Sequence, residues 1–193
     1  MKSSSNHVAD SYDERGYYNC GNGYWKPEHL RTAPVSTDKY LNFNKPAFIM
    51  NLKIRPYRAG DARAIVELSS HYFPAARIDE EEIRRRISKR IVYLVAELDE
   101  RVVGFIDVKV REKDVYIYGI AVQPEFKEKG IGSQLLEKVV QIAKKEGKGA
   151  LVLTVKESNT RAIQFYSKRG FSLREVRAGR EGEVLVLLRG VHN

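Results

Sequence analysis

The stretch VYIYGIAVQPEFKEKGIGSQLL, residues 115–136, decides the fold of this chain. Apart from one glycine, its beginning is apolar or aromatic and predicts a strand, which a loop joins to a helix that begins near Gly130. Unpaired N–H groups and the dipole at a helix start attract anions, and glycines let the backbone come close to a phosphate. The stretch therefore predicts a strand, a loop and a helix that together bind a phosphate or pyrophosphate group.

Two common nucleotide-binding motifs do not match this loop. A P-loop needs Gly-Lys-Ser/Thr, whereas Gly132 is followed by Ser133 and Gln134. A dinucleotide fingerprint needs a third small residue where Leu135 stands. Taken alone, the Gly-x-Gly pair fits an ordinary tight turn equally well, so the neighbouring segments have to decide what the loop binds.

Hydrophobic periodicity places the other elements after Met50. The predicted strands are residues 53–57, 91–97, 102–110, 115–122, 151–155, 171–176 and 183–188. The predicted helices are residues 60–70, 79–89, 130–146 and 159–169. Short turns link the second, third and fourth strands into an antiparallel series, and strands alternate with helices after them. We therefore predict an α/β fold with a mixed, mostly antiparallel central sheet of about six to seven strands and helices on both faces.

Residues 1–49 are rich in Asn, Ser, Tyr and Gly, whereas residues 50–193 are rich in Lys, Arg, Glu, Ile and Val. We predict an N-terminal extension over the first range and one domain over the second. In the extension Asn22-Gly23 favours a tight turn, so a small hairpin and a flexible arm are both open. Folding over a groove of the domain and formation of a homodimer are further alternatives. The Lys–Glu mixtures of the domain are typical of proteins from hot environments.

Bulk composition favours a soluble protein of the cytoplasm. A chain of 193 residues with 42% hydrophobic content is long enough for one sizeable core. Its longest apolar runs are far shorter than the ~20 residues of a membrane helix, and its first residues lack the apolar stretch of a secretory signal. The single cysteine, Cys20, forms no internal disulfide, and its loose spacing from His7 and His29 is not that of a metal site.

The net charge of +9 invites comparison with nucleic-acid-binding proteins, because clustered Lys and Arg neutralise phosphates. The charges are interleaved, however. Arg84-Arg85-Arg86 follows a run of acidic residues, a pattern typical of a solvated helix face. Nucleic acid is therefore a poorer expected partner than a polyanionic cofactor or an acidic substrate.

In order and spacing, residues 120–136 resemble the acetyl-CoA motif of the GCN5-related N-acetyltransferase (GNAT) family, whose core is Gln/Arg-x-x-Gly-x-Gly/Ala. The resemblance spans residues 52–189, because residues 54–61 are similar to the family's opening strand and residues 159–171 to its second cofactor motif. One departure is Lys127, which stands where Gln or Arg is usual and offers a phosphate a point charge instead of a planar fork. The resemblance implies an acetyl-CoA-dependent N-acetyltransferase that acts on a primary amine by direct attack in a ternary complex.

The resemblance also implies which residues bind acetyl-CoA or CoA. Main-chain groups of Ile120 and Val122 would hold the pantetheine arm, and one of their N–H groups would polarise the thioester carbonyl. Asn159 would contact the cofactor from the second motif. The implied cofactor-binding residues are Ile120, Ala121, Val122, Lys127, Glu128, Lys129, Gly130, Ile131, Gly132, Ser133, Asn159 and Tyr166.

Tyr166 is the implied catalytic residue. It follows Asn159 by about two helical turns, so the two residues share one face of the predicted helix. By the resemblance its hydroxyl stands near the thioester sulfur and protonates the departing thiolate, which is reasonable chemistry for a phenol. The alternative is a half-buried tyrosine that packs beside Phe165 and Phe171.

Direct transfer also needs a group or a water relay that removes a proton from the amine. The family often places a glutamate on one of two central strands, but those positions here look like Tyr116 and Thr154. Other candidates, each with the alternative of a surface, turn or loop side chain, are Asp107, Glu97, Glu157 and His71. The acceptor stays open between a small polyamine, a peptide amine and a lysine side chain. A non-catalytic acyl-CoA sensor and a basic nucleic-acid-binding module are the alternative functions.

Overall fold

The computed structural model describes residues 51–179 and 182–191, together with two short strands, β1 (Tyr18–Asn19) and β2 (Tyr24–Trp25). β1 and β2 pair antiparallel, with Tyr18 opposite Trp25. The hairpin and flexible-arm alternatives for the N-terminal extension stay predictions.

The chain divides into two units, residues 1–44 and residues 45–193. A domain boundary near residue 50 stays a prediction, and Cys20, His7 and His29 lie outside the described residues. None of the helices in the described part of the chain has the length and apolarity that crossing a membrane requires. Among the described residues, no three His, Cys, Asp or Glu side chains form a group that could hold a metal ion.

The main sheet of the described domain contains seven strands: β3 (Lys53–Pro56), β4 (Val92–Leu98), β5 (Arg101–Val110), β6 (Asp114–Val122), β7 (Ala150–Lys156), β8 (Ser172–Gly179) and β9 (Gly182–Gly190). Its α-helices are α1 (Ala62–Tyr72), α2 (Glu80–Ser88), α3 (Ile131–Lys145) and α4 (Thr160–Ser167). These bounds confirm every element predicted after Met50 to within three residues at either end. Periodicity did not reveal three 3-10 helices, because a single turn is too short to show a period; they are Ala59–Asp61, Pro74–Ala76 and Pro124–Phe126.

The strand order is β3-β4-β5-β6-β7-β9-β8, and every neighbouring pair except β6 with β7 is antiparallel. Helices α1 and α2 cover one face, where Ile65 and Ile83 are fully buried against β4 and β5. Helix α3 packs on the other face through Leu135 and Val139, in the same core as Tyr166 of α4. This confirms the predicted mixed, mostly antiparallel sheet with helices on both faces.

The two parallel strands, β6 and β7, separate at their carboxyl ends. Its ladder joins residues 114–117 of β6 to residues 150–153 of β7 and ends at Ile117 opposite Leu153. Beyond that point β6 pairs with β5, whereas β7 pairs with β9. The two strands therefore separate into a cleft, and ligands of α/β folds commonly bind outside the carboxyl ends of parallel strands.

The three arginines of α2 have different surroundings. Arg84 and Arg85 pair with glutamates of the same helix on the exposed surface, as the interleaved charges predict. The side chain of Arg86 is only 15% exposed, and its Nη2 lies 2.6 Å from Asp107 Oδ2 on β5. The interpretation of Arg86 as part of a solvated face is therefore wrong. Arg86 follows the fully buried Ile83 by one helical turn, so it lies on the face that packs against the sheet.

Gly104 on β5 lies directly against β6. A Cβ atom at this position would be 2.8 Å from the main-chain oxygen of Ala121 and 3.2 Å from the Val122 side chain. Because that oxygen belongs to a strand, it cannot give way without disturbing the sheet. We expect Gly104→Ala to lower the free energy of unfolding by about 1–3 kcal/mol in urea denaturation.

Gly60→Ala is the matched control for this prediction. A Cβ atom at residue 60 would meet nothing within 4 Å, so we expect a change below about 1 kcal/mol in either direction. Equal losses in the two variants would contradict the packing explanation.

Candidate active site

The loop between β6 and α3 ends at a helix start that suits an anion. Gly130 is the N-cap of α3 with a φ of +81°, a left-handed conformation that other residues adopt at a cost of about 1–2 kcal/mol. The Gln134 N–H donates the first intrahelical hydrogen bond to the Gly130 oxygen, at 3.1 Å. The N–H groups of Ile131, Gly132 and Ser133 therefore have no acceptor within the helix. Their arrangement suits a phosphate.

Helix α4 packs against this helix start, and Gly132 makes room for it. A Cβ atom at residue 132 would lie 3.2 Å from the Phe165 ring. Arg169 stacks on the same ring at 3.7 Å and donates hydrogen bonds to Ser133 Oγ at 2.5 and 3.1 Å. Glu128 of the loop also pairs with an arginine of α4 at 3.1 Å. Sequence reasoning missed Arg169, because no local pattern connects it with Ser133, 36 positions earlier.

Main-chain groups of β6 face the cleft at alternate residues. The Gln123 N–H donates to the Val103 oxygen of β5 at 2.8 Å. Strand alternation then directs the N–H and C=O groups of Ile120 and Val122 away from β5 and toward the cleft. The side chain of Ala121 is instead buried against the helices of the other face. The contacts of Ile120 and Val122 with a pantetheine arm stay a prediction.

Two lysines of the loop rest on aromatic rings. Lys127 Nζ lies 4.5 Å from the centre of the Tyr72 ring on α1, and Lys129 Nζ lies 5.3 Å from the Phe126 ring. The Tyr72 hydroxyl donates a hydrogen bond to the Val122 oxygen at 2.9 Å. Lys127 therefore links the loop to α1, and its contact with a phosphate stays a prediction.

Asn159 is the N-cap of α4. Its Oδ1 accepts a hydrogen bond from the Ala162 N–H at 3.1 Å, which begins the helix as a capping side chain should. Because Oδ1 serves as the cap, the side-chain amide NH2 is the group that remains for a ligand. Its cofactor contact stays a prediction.

Tyr166 is buried, with 6% of its surface exposed, and its ring lies 5.1 Å from that of Phe165 and 5.3 Å from that of Phe171. Both ring contacts agree with the packing alternative, which is compatible with a catalytic hydroxyl. Burial and, to a smaller extent, the charge of Asp107 hold the pKa of Tyr166 above its usual range. The phenol is therefore protonated at neutral pH and able to donate.

The two strand positions where the family often carries a glutamate are occupied by hydroxyl groups that bind each other. Tyr116 Oη and Thr154 Oγ1 are 2.7 Å apart, next to the point where β6 and β7 separate. The Tyr116 ring also lies beneath the Arg111 guanidinium at 3.9 Å. Neither position carries a carboxylate.

Three of the other candidate bases have different surroundings. Glu97 is 15% exposed and pairs with Arg55 at 2.6 Å, so its interpretation as a surface carboxylate is wrong. Glu157 is exposed and directly follows the last residue of β7, at the carboxyl end of that strand. His71 lies in the last turn of α1, not in a loop between the helices, and packs edge-on against Tyr72.

A cavity of about 310 Å³ lies between the sheet and helices α1 and α2. Its charged and aromatic lining side chains are Phe73, Glu82, Arg86, Phe105, Asp107 and Tyr118. Asp107 is only 2% exposed, so its interpretation as a surface or turn carboxylate is wrong. The signal was present in the sequence, because Asp107 interrupts an apolar strand and shares a strand face with Phe105.

A parallel strand pair that separates at its carboxyl end, a helix start that suits an anion and a buried tyrosine on α4 define a mixed α/β domain with a candidate ligand-binding cleft. The chain belongs to the acetyltransferase (GNAT) family, whose family model matches residues 62–171.

Characterised relatives act on amines. Over 112 residues the chain is 30% identical to the ribosomal protein bS18-alanine N-acetyltransferase of Salmonella typhimurium, a match that covers 58% of this chain and 74% of that protein. Over 95 residues it is 30% identical to the spermidine N(1)-acetyltransferase of Thermoplasma acidophilum, which covers 49% of this chain and 59% of that protein. The matched part of this chain spans 42% to 74% of the length of three relatives.

The fold is similar to that of solved acetyltransferases. The PaiA N-acetyltransferase of Thermoplasma acidophilum, in complex with coenzyme A, superposes with a TM-score of 0.63 and 23% identity. The match covers 73% of this chain and 99% of that chain. At 23% identity this similarity shows that the two chains share a fold.

Proposed function

We propose that this chain is an N-acetyltransferase that transfers the acetyl group of acetyl-CoA to a primary amine by direct attack in a ternary complex. The observation that carries the proposal is the position of residues 118–122 on β6. The cleft beside β7 lies along one edge of this segment, and the cavity under α1 and α2 reaches it at Tyr118 and Gly119. A donor in the cleft and an acceptor in the cavity would meet at one place, as direct transfer requires.

The residues around the cleft suit the parts of acetyl-CoA, which supplies an activated acetyl thioester. The N–H groups of residues 131–133 suit its pyrophosphate. The N–H and C=O groups of Ile120 and Val122 suit the amides of its pantetheine arm. One of these N–H groups would donate to the thioester oxygen and stabilise the negative charge that develops there.

Tyr166 completes the proposed transfer by protonating the sulfur that leaves. Burial keeps its phenol protonated at neutral pH, so a donor is ready when the thiolate forms. Tyr166 as a whole is only 6% exposed. Its ring, held between Phe165 and Phe171, has little freedom to turn away.

The proposed acceptor is an amine-bearing small molecule or protein. The relatives that act on bS18 alanine and on spermidine support an amine in general. The cavity lining carries two carboxylates, Asp107 and Glu82, and one guanidinium, Arg86, and this excess of one negative charge suits a cationic ligand.

A second candidate function is a non-catalytic acyl-CoA sensor. The pairing of Tyr116 with Thr154 at 2.7 Å favours it, because no carboxylate occupies the strand positions where the family often has one. A sensor would bind CoA but would not consume the acetyl thioester.

Release of free thiol from acetyl-CoA tests the proposal. The purified protein is incubated with acetyl-CoA and, in turn, spermidine, a peptide with an N-terminal alanine and a peptide with an internal lysine. We expect amine-dependent thiol release above the rate without amine, and a mass increase of one acetyl group on the acceptor. CoA binding in calorimetry without thiol release for any amine would favour the sensor.

Lys127→Ala should weaken CoA binding by less than about tenfold, which corresponds to less than about 1.4 kcal/mol. The N–H groups of the helix start would bind the pyrophosphate, and Lys127, which is half-buried beside the Tyr72 ring, would add only a point charge. Calorimetric titration with CoA at low and high salt measures the effect, which should shrink at high salt. Lys138→Ala, on the exposed side of α3, is the control for net charge. Complete loss of binding in Lys127→Ala would contradict this assignment of the pyrophosphate to the main chain.

A further inference from the structure

The cavity under α1 and α2 has a buried carboxylate at the wall that faces β6. Asp107 of β5 lies opposite Gly119 of β6 in the antiparallel ladder. The next ladder pair joins Val108 with Ile117, so Tyr118 is an extra, bulged residue. The bulge directs the Tyr118 ring to Arg86, whose guanidinium lies 5.0 Å from the ring centre.

The two oxygens of Asp107 have different surroundings. Oδ2 accepts a hydrogen bond from Arg86 Nη2 at 2.6 Å. Oδ1 lies beside Gly119, where an added Cβ atom would be 3.1 Å from Oδ1 and 3.2 Å from the Phe73 ring. The main-chain N–H groups of Gly119 and of Asp107 itself also donate hydrogen bonds to the carboxylate. A side chain at residue 119 would therefore fill the space between the carboxylate and the segment of β6 at the cleft.

The ion pair by itself is a weak reason for a carboxylate at this place. Buried ion pairs are often no more stabilising than apolar side chains of similar volume. By comparison, Arg55 uses its guanidinium to join Asp61 and Glu97 and so ties β3 to β4, away from both the cleft and the cavity. Asp107 differs in lining a cavity with one oxygen directed at the strand that the donor and acceptor would share.

We propose that Asp107 is the group that takes the proton from the acceptor ammonium, and that Arg86 is the residue that positions its carboxylate. The inference rests on the proposed N-acetyltransferase function and names the base that this function requires. Asp107 would then act from one face of the sheet and Tyr166 from the other, at the same segment of β6.

The proton balance of the proposed step is complete. The acceptor enters as an ammonium and gives one proton to Asp107. Its nitrogen forms a bond to the acetyl carbon, and the bond from that carbon to sulfur breaks. Tyr166 gives a proton to the sulfur and regains one from the nitrogen, which becomes an amide. Asp107 then releases its proton to solvent, so the products are the amide, CoA and one proton.

Titratable groups from several elements surround Asp107. Helix α2 contributes Arg86 and Glu82, β4 contributes Tyr93, β6 contributes Tyr118 and α4 contributes Tyr166. The cavity residues from α1, Ser69 and Phe73, are uncharged. Burial raises the pKa of Asp107 to about 6, and the charge of Arg86 opposes that rise. The group is thus a carboxylate at neutral pH, with a pKa close enough to neutrality for proton transfer.

The test compares an alkylamine with hydroxylamine as acceptors of wild type and Asp107→Asn. Spermidine is protonated at neutral pH and needs a base, whereas hydroxylamine is largely unprotonated and does not. We expect Asp107→Asn to lower kcat with spermidine by about 100-fold or more, and to leave kcat with hydroxylamine within about tenfold of wild type. Raising the pH should restore part of the spermidine rate, because more of the amine is then free of its proton.

Glu97→Gln is the matched control, since it also removes a carboxylate from an arginine pair but lies away from the cavity. Its ratio of spermidine to hydroxylamine rates should equal that of wild type. CoA calorimetry and thermal melting establish that each variant is folded. An equal loss with both amines in folded Asp107→Asn, or no loss with either, would overturn the assignment of Asp107 alone. A wild-type protein that binds CoA but releases thiol with neither amine would overturn the proposed function and this inference together.

Discussion

Tyr166→Phe should lower kcat for amine acetylation by about 100-fold or more, the usual contribution of a positioned acid or base. The substitution removes one oxygen and keeps the ring that packs at 5.1 Å from Phe165 and 5.3 Å from Phe171. The affinity for CoA and the melting temperature should therefore stay close to those of wild type. Steady-state thiol release, calorimetry with CoA and thermal melting measure the three quantities.

Tyr57→Phe is the control for this prediction, because Tyr57 packs in the core of the opposite face and has no place in the cleft. Its kcat should be unchanged. If Tyr166→Phe kept full activity, the alternative of a packing tyrosine would be correct. A loss of CoA affinity that matched the loss of kcat would instead indicate a binding role for the hydroxyl.

Arg86→Met should lower the free energy of unfolding by about 3–5 kcal/mol at about pH 8, because it leaves a buried carboxylate without its partner. Asp107 is 2% exposed, and its Oδ2 lies 2.6 Å from Arg86 Nη2. Methionine keeps an unbranched stem, so the packing on Tyr93 and Tyr118 is largely retained. Urea denaturation of the variant and wild type measures the difference.

The loss of unfolding free energy in Arg86→Met should be smaller at about pH 5. Burial raises the pKa of Asp107 from 3.8 to about 6 in the folded state, and removing Arg86 raises it further. A carboxyl with a raised pKa binds its proton more tightly when folded, so its contribution to stability is full below the unfolded pKa and is lost as the pH rises through the folded pKa. In Arg86→Met the folded-state pKa of Asp107 is higher, so the free energy of unfolding keeps falling to a higher pH than in wild type. The difference in unfolding free energy between the two proteins therefore grows as the pH rises above about 5.

Arg85→Met separates the buried pair from the loss of one positive charge. Arg85 is 61% exposed and pairs with Glu82 on the surface, where such pairs contribute about 0–1 kcal/mol. A loss in Arg85→Met as large as that in Arg86→Met would show that the burial of Asp107 is not the cause.

Local patterns in the sequence predicted every strand of the main sheet and each α-helix. The helix at residues 131–145 follows from its apolar spacing. The start of α2 follows from Asp79, a residue type that favours the N-cap, and its Oδ1 accepts a hydrogen bond from the Glu82 N–H at 2.7 Å. The loop before Gly130 was also recognisable, because a glycine in a left-handed N-cap and a helix start are local features. The resemblance then assigned roles to Asn159 and Tyr166, which share one short helix.

Contacts between segments that are distant along the chain have no comparable local pattern in the sequence. Ser133 and Arg169 meet because α3 and α4 pack together, and the hydroxyls of Tyr116 and Thr154 meet because β6 and β7 pair. The sequence did not distinguish the three arginines of α2, although one of them lies between the helix and the sheet. The position of Ile83 one turn before Arg86 was the clue, since helical spacing puts the two on one face.

The sequence by itself determined the secondary structure, the glycine-bearing helix start and the likeness to one family, because each depends on residues that are neighbours along the chain. Only the tertiary structure decided that β6 and β7 separate, that Arg86 is buried and that Asp107 lines a cavity instead of the surface. Burial and charge pairing depend on which faces of helices and strands meet. The loop of residues 127–132 is therefore identified by its sequence, whereas its relation to the cleft and the cavity is a property of the assembled sheet.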